Sequence, residues 1–241
     1  MLKNFIKKLI PKQLYEWRIN QSLKRYNDMT PEQVFTSIYE ENVWGGKAGE
    51  FCSGSGTTNP NVGLYVEKLV KFIQQQQIKS VLDIGCGDFR VMKQVTQQTN
   101  VQYTGGDLVK SLINFNQKQF ANEKTNFQVL NAITDELPKA DMLTIRQVFQ
   151  HLSNEQIISV LQKTKDFKYI LVTEHIYSGN DAVANLDKKA GPDIRLYKKS
   201  GVFLETTPFD KKASVFLEYA EDMIVFGKQY PALMRTYLIE N

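Results

Sequence analysis

The chain has 241 residues, 42% of them hydrophobic and 23% charged, with 30 Lys+Arg against 26 Asp+Glu and a formal charge of +4. That balance excludes disordered, collagen-like and low-complexity classes, and the length is enough for a sizeable core. Two cysteines and two histidines, far apart in sequence, form neither a disulfide framework nor a zinc spacing. This composition fits a reducing, cytoplasmic setting, and a charge of +4 does not mark a nucleic-acid binder.

The charge is unevenly placed. Residues 1–28 carry seven basic side chains and two acidic ones, a net +5, which leaves −1 on the other 213 residues. Leu2, Phe5, Ile6, Leu9 and Ile10 recur at helical spacing, with lysines between them, and Pro11 ends or kinks the stretch. No unbroken apolar run long enough for an export signal or a membrane span is present. Two readings stand for this arm: a helix packed on its own domain, or a basic amphipathic helix in peripheral contact with an anionic membrane.

Next, Thr30-Pro31 opens a short helix, and the Gly-, Ser- and Thr-rich stretch from Gly45 to Pro60 reads as a loop. A helix is expected over 61–77. Short apolar runs then read as buried strands at 80–84, 101–105, 127–130, 142–145 and 169–173, with helical patterns at 88–97, 110–121 and 154–165 between them. This βαβ rhythm predicts a doubly wound, mostly parallel sheet covered by helices on both faces. The rhythm stops after residue 176 in a polar insertion at 177–212, and two further apolar runs follow at 213–219 and 233–239. We therefore divide the chain into an N-terminal arm and loop, 1–60, and a main domain, 61–241.

The most informative stretch is SVLDIGCGDFR at Ser80–Arg90. An apolar strand ends at Asp83, and Gly85 and Gly87 bracket Cys86 in a tight turn that leads into a helix. Glycines at that spacing let the chain bend sharply and let a ligand approach main-chain atoms. The last glycine of a G-x-G-x-x-G pattern is missing, since Arg90 stands there, and no Lys-Ser/Thr pair follows for a phosphate loop. A pyrophosphate ligand is thus disfavoured. Asp107, in YTGGDL, falls at the tip of the second strand, where an acid accepts hydrogen bonds from both hydroxyls of a ribose.

These motifs resemble those of the class I S-adenosylmethionine-dependent methyltransferases. DIGCGD at Asp83–Asp88 matches their glycine-rich first motif, GGDL at Gly105–Leu108 the acidic second, and NAITDELPKADMLTIRQVFQHLS the third and fourth. The resemblance covers about residues 60–240 and departs from the family at Phe89, where many members carry a third glycine. It implies a Rossmann-like, seven-stranded sheet with two closing strands antiparallel at its edge. It also implies S-adenosylmethionine as cofactor, held by the loop Asp83, Gly85, Cys86 and Gly87. Asp107 would take the ribose, Leu108 would pack on adenine, Asn131 and Ala132 would meet its amino edge, and Gln147 would lie near the transferred methyl.

The acceptor side rests on other residues. Neither the Asn/Asp-Pro-Pro-aromatic motif of amide- and base-nitrogen methyltransferases nor a double-glutamate hairpin is present, which leaves a small-molecule or glycan hydroxyl as the expected acceptor. His151 and His175 both fall at predicted carboxyl edges of strands, and histidine is the commonest general base. Glu174 is expected to act as a base or to orient His175. In the insertion, Asp193, Arg195 and Tyr197 alternate; on an extended chain they would face one side and grip a polar acceptor, or form the solvated face of an edge strand. Trp44 and Ser53–Thr57 are expected to close the opposite wall. An RNA methyltransferase would need a basic rim that the −1 domain lacks, and a non-catalytic partner protein is the reading from outside enzymology. On the family likeness and the arm, the pathway expected is surface-polysaccharide biosynthesis or secondary metabolism.

Overall fold

A computed structural model describes residues 21–225 and 228–241; the amphipathic stretch at the very start of the chain lies outside them. Residues 21–24 are helical, and α1 (Pro31–Glu40) follows. Thr30 accepts from the Gln33 amide and Gln33 reaches back to the Thr30 amide, a capping box with Pro31 at the first helical position. Val34, Phe35, Ile38 and Tyr39 of α1 are buried in the same core as Leu82, Ile84 and Leu143 of the sheet.

The sheet has seven strands in the order β3-β2-β1-β4-β5-β11-β8. Its parallel part comprises β1 (Ser80–Ile84), β2 (Gln102–Asp107), β3 (Thr125–Val129), β4 (Met142–Arg146) and β5 (Tyr169–Tyr177). β11 (Ala232–Glu240) pairs antiparallel with both β5 and β8 (Ser214–Ala220). β5 is buried at every position, as expected for a strand with neighbours on both edges and cover on both faces. The helices α2 (Val62–Gln75), α3 (Arg90–Thr96), α4 (Lys110–Phe120) and α5 (Asn154–Leu161) fall within the stretches that the sequence pattern marks out. Two apolar clusters form the core, one holding α1 and α5, the other α2 and α3. The sheet is therefore covered on both faces.

The insertion departs from expectation. Asp193, Arg195 and Tyr197 do not alternate along an extended chain, because Arg195–Lys198 form a 3-10 turn between the two-residue strands β6 (Val183–Ala184) and β7 (Ser200–Gly201). β9 (Met223–Val225) and β10 (Lys228–Tyr230) form a small antiparallel pair before β11. Among the described residues no helix is long and apolar enough to cross a membrane.

Candidate functional site

The strand order reverses between β1 and β4, and the carboxyl ends of β1, β2, β4 and β5 open there onto a cavity of about 700 Å³. A crevice at this switch point is where open α/β sheets bind ligands.

One half of the cavity is shaped by backbone. Gly85 and Gly87 have φ of +68° and +54°, and Phe89 follows at +60°. A side chain on Gly85 would be driven into Val148, and one on Gly87 into Ser53. Phe89 occupies the left-handed conformation without being a glycine. It is held there by rings of Tyr103, Phe120 and Phe127 with centroids 4.9–5.5 Å away. The departure from the family pattern therefore keeps the backbone shape and compensates its strain by packing.

Acidic groups surround this loop. Asp107 accepts from the Gly87 amide at 3.2 Å and the Val109 amide at 3.1 Å, and burial raises its pKa against these bonds. Asp83 is buried, accepts from Thr144 Oγ1 at 2.6 Å and Tyr103 Oη at 2.8 Å, and is pushed by burial to a pKa of about 6. Asp83, Gly85, Cys86, Gly87, Asp107 and Leu108 all line the cavity, as do Asn131, Ala132 and Gln147. Burial also raises the Cys86 thiol, so it is an inert wall rather than a nucleophile. Asn131 Oδ1 accepts from the Ile133 amide, which fixes the loop after β3. An open glycine turn, a carboxylate at the tip of β2 and an apolar residue after it fit a nucleoside with a short polar tail.

The loop between α1 and α2 closes over this half. The Ser53 amide donates to Asp88 Oδ2 at 3.1 Å, the Asp88 amide donates to Ser53 Oγ at 2.8 Å, and the Tyr39 hydroxyl meets the same Oγ at 2.8 Å. The Arg146 guanidinium donates to the Gly56 carbonyl at 2.9 Å and to Gln147 Oε1 at 2.8 Å. Ser53 was expected on the acceptor side, opposite the insertion, and is instead tied to the glycine turn; the roles of Asp88 and Arg146 were not expected. The available signal for Arg146 was a lone charge ending the apolar strand MLTIR.

The other half is built from side chains. His151 belongs to a 3-10 turn (Phe149–His151) just after β4, and His175 lies near the end of β5; both line the cavity. His151 Nδ1 lies 3.2 Å from the Gly191 carbonyl, so Nδ1 carries the proton and Nε2 the lone pair, 3.3 Å from Gln150 Nε2. His175 Nε2 lies 2.6 Å from the Glu221 carbonyl, which leaves its lone pair on Nδ1. Burial lowers both pKa values, that of His151 to about 3 with the help of the nearby Lys188 charge, so both rings are neutral at neutral pH. Trp44 stacks near His151 with centroids 4.9 Å apart, and Phe35 meets it edge-on.

Two expected residues stand elsewhere. Glu174 points away from the cavity, where its oxygens accept from the Phe149 and Gln150 amides, both at 2.9 Å. Burial pushes its pKa to about 8, opposed by those amides and by Arg195. It is a positioning residue for the histidine turn, not a base in contact with the cavity. Arg195 is 1% exposed and does not line the cavity. It donates to the carbonyls of Phe149, Leu152 and Leu186 and to Asn154 Oδ1, which ties the insertion to the turn. Asp193 and Tyr197 do line the cavity, joined at 3.0 Å, with Lys188 3.0 Å from Asp193.

The strand order, the glycine turn and the acid at the tip of β2 are similar to those of the class I S-adenosylmethionine-dependent methyltransferases. Residues 81–167 match the family model of a methyltransferase domain. Human N-acetylserotonin methyltransferase, solved with S-adenosylmethionine, superposes with a TM-score of 0.51 at 14% identity, over 88% of this chain and 61% of that one. The chain thus spans under two thirds of that enzyme's length. The N-methyltransferase NodS from Bradyrhizobium japonicum, solved with S-adenosylhomocysteine, gives 0.52 at 10% identity, over 75% of this chain and 88% of its own. At such identities the likeness is one of fold. No curated protein matches the chain in sequence.

Proposed function

We propose that the protein transfers a methyl group from S-adenosylmethionine to a hydroxyl of a small-molecule or glycan acceptor. The observation that carries this reading is one cavity joining two unlike walls: the glycine turn with Asp107, and two neutral histidines facing it.

When bound, the cofactor supplies an electrophilic methyl on a sulfonium. Asp107 would hold its ribose, Asn131 and the Ala132 backbone its adenine edge, and Leu108 the adenine face. The rest of the work falls to the protein. Displacement at a methyl carbon needs the attacking oxygen held in line, and an alcohol needs to lose its proton as it attacks. A neutral imidazole with its other nitrogen hydrogen-bonded to a carbonyl is oriented for that proton. His175 Nδ1 is the lone pair so held, while that of His151 Nε2 already faces the Gln150 side-chain nitrogen. Trp44, Phe35 and Tyr39 give the same cavity an apolar side.

No paired prolines follow β4, where the chain reads RQVFQHL, which speaks against amide- and base-nitrogen acceptors. Peripheral contact of residues 1–28 with an anionic membrane belongs to the same reading. It is tested by co-sedimentation of the full-length chain with anionic vesicles at low salt, and its absence there removes that part alone.

Calorimetric titration with S-adenosylhomocysteine tests the cofactor, and no heat of binding would refute it. Radiolabelled methyl transfer to a panel of hydroxylated acceptors tests the chemistry; label appearing only on amines or RNA would replace the hydroxyl reading.

A further inference from the structure

On its histidine side the cavity opens to solvent through an apolar rim. Val43 and Ile224 line the cavity and are 41% and 73% exposed, Ile224 being the most exposed large hydrophobic side chain among the described residues. Leu23 and Met223, both half-buried, line it as well. Met223 packs with Ile194 and Tyr197 of the insertion, and its strand neighbour Ile224 turns to the opposite, open side. Leu23 lies against Gly191, whose carbonyl takes the His151 ring proton.

The N-terminal arm joins the domain at this same rim. Ser22 is exposed and lines the cavity, so residues 1–20 attach to the fold at its mouth. Those residues carry five basic side chains and one acidic one, together with the apolar helical spacing that runs from Leu2 to Ile10. Lys24 is exposed just after the join, and exposed Lys198 stands 5.7 Å over the Tyr197 ring. Most acids near the rim are engaged within the chain. Asp222 accepts from Gln229 Nε2 at 2.6 Å and the Ala232 amide at 3.1 Å, Asp193 pairs with Lys188 at 3.0 Å, and Glu41 pairs with Arg25 at 2.6 Å. Half-buried Glu221 is the acid of the rim not so held.

Exposed apolar side chains with a basic amphipathic segment joined at their edge fit an anionic bilayer. Apolar insertion and electrostatic attraction are each marginal alone and together hold a peripheral protein. A nucleic acid would use the charge and leave Val43 and Ile224 in water. A second copy of the chain would bring another +5 segment against the first. The arm folded over its own mouth would cover Ile224 but leave its lysines short of counter-charge, because most of the rim acids are already bonded.

We propose that the mouth of the cavity is a docking surface for an anionic membrane, with Val43 and Ile224 entering the bilayer beside the N-terminal arm. The histidine half then opens toward groups carried at the lipid surface. This rests on the membrane contact already proposed for residues 1–28 and adds which face of the domain meets the bilayer.

The test uses the full-length protein and vesicles of equimolar phosphatidylglycerol and phosphatidylcholine at low salt. Nitroxide labels are placed through Ile224→Cys, Val43→Cys and Lys139→Cys in a Cys52→Ser background, Cys86 being buried. Lys139 is exposed and precedes β4, at the end of the sheet away from the cavity. On vesicle binding, labels at 224 and 43 are expected to lose access to an aqueous nickel relaxant by at least about fivefold, as for groups set into the headgroup boundary. The label at 139 keeps its access. Ile224→Asp is expected to weaken vesicle binding by at least about tenfold, the scale of leaving one large apolar side chain in water. Val215→Asp is the control: that residue is 55% exposed on β8, outside the cavity wall, and its change leaves vesicle binding as it was. Thermal melts followed by circular dichroism report that each variant folds. The proposal is overturned if the chain does not sediment with the vesicles or if the two aspartate variants bind them alike. It is also overturned if the 224 label is shielded before vesicles are added, which assigns the surface to the arm or a second copy. Sedimentation with the 224 label still in water removes the docking face and leaves the contact of residues 1–28 standing. Calorimetry with S-adenosylhomocysteine decides the methyltransferase reading independently of all these outcomes.

Discussion

The two halves of the cavity are made in different ways. Around Gly85 and Gly87 the wall is main chain, bent through positive φ, with the Gly87 amide donating to Asp107 at the tip of the next strand. Around His151 and His175 it is assembled from side chains that come from the end of β4, the end of β5, the insertion and the corner after β8. A backbone wall is set by local chain geometry and accepts little change. A side-chain wall is set by long-range packing and can vary its chemistry while the fold stays the same.

The sharpest way to break this contrast is to remove the histidines. His151→Ala or His175→Ala is expected to lower turnover by about 10²–10⁴-fold, the usual scale of general-base loss, with S-adenosylhomocysteine affinity unchanged. Wild-type rates in both variants would remove the base assignment. Arg195→Met probes the frame behind that wall. It strips the donor from two buried carbonyls and one half-buried one and should cost on the order of 3 kcal/mol in urea unfolding, since each orphaned buried group costs about 1–3 kcal/mol. A neutral result would mean that the insertion is not tied down through this side chain.

On the backbone side, Asp107→Ala is expected to weaken S-adenosylhomocysteine by roughly 10- to 100-fold, the scale of hydrogen bonds to a charged group. Calorimetry giving wild-type affinity would place the ribose elsewhere. A further effect, read in a different experiment, is on acid stability. His151 is neutral in the fold down to a pKa of about 3, while in the unfolded chain it titrates near 6.5. Its contribution is therefore complete above pH 6.5 and is lost as pH falls toward 3, by about 1.4 kcal/mol per unit in that window. Glu174, raised to about 8, has the opposite sign and loses stability as pH rises from about 4.5 to 8. Chemical denaturation of His151→Gln should accordingly show a flatter acid limb than wild type. An unchanged limb would mean that the ring is already charged in the fold.

The same contrast explains what was legible in the sequence. The strands, the glycine turn and Asp107 are local signals: apolar runs of strand length, a G-x-G after a strand, an acid at a strand tip. Arg195 was misread because x-Asp-x-Arg-x-Tyr has the period of a strand, while the segment coils into a 3-10 turn after Gly191-Pro192. Nothing nearby in sequence announces that its guanidinium is wanted by carbonyls some forty residues upstream. Glu174 was placed at the right strand tip but on the wrong face, since neighbours on a strand point to opposite sides. Glu221 carries no motif at all, and only the path of the chain after β8 brings its carbonyl to the His175 ring.

Gln150 joins the pieces of the histidine wall. Its amide donates to Glu174 Oε2, its side-chain oxygen accepts from the His175 amide, and its side-chain nitrogen lies 3.3 Å from the His151 ring. Glu174 and His175 are adjacent in the chain, so these contacts close a short circuit through both histidines. A change that shifts Gln150 therefore disturbs the His151 ring and the His175 main chain together.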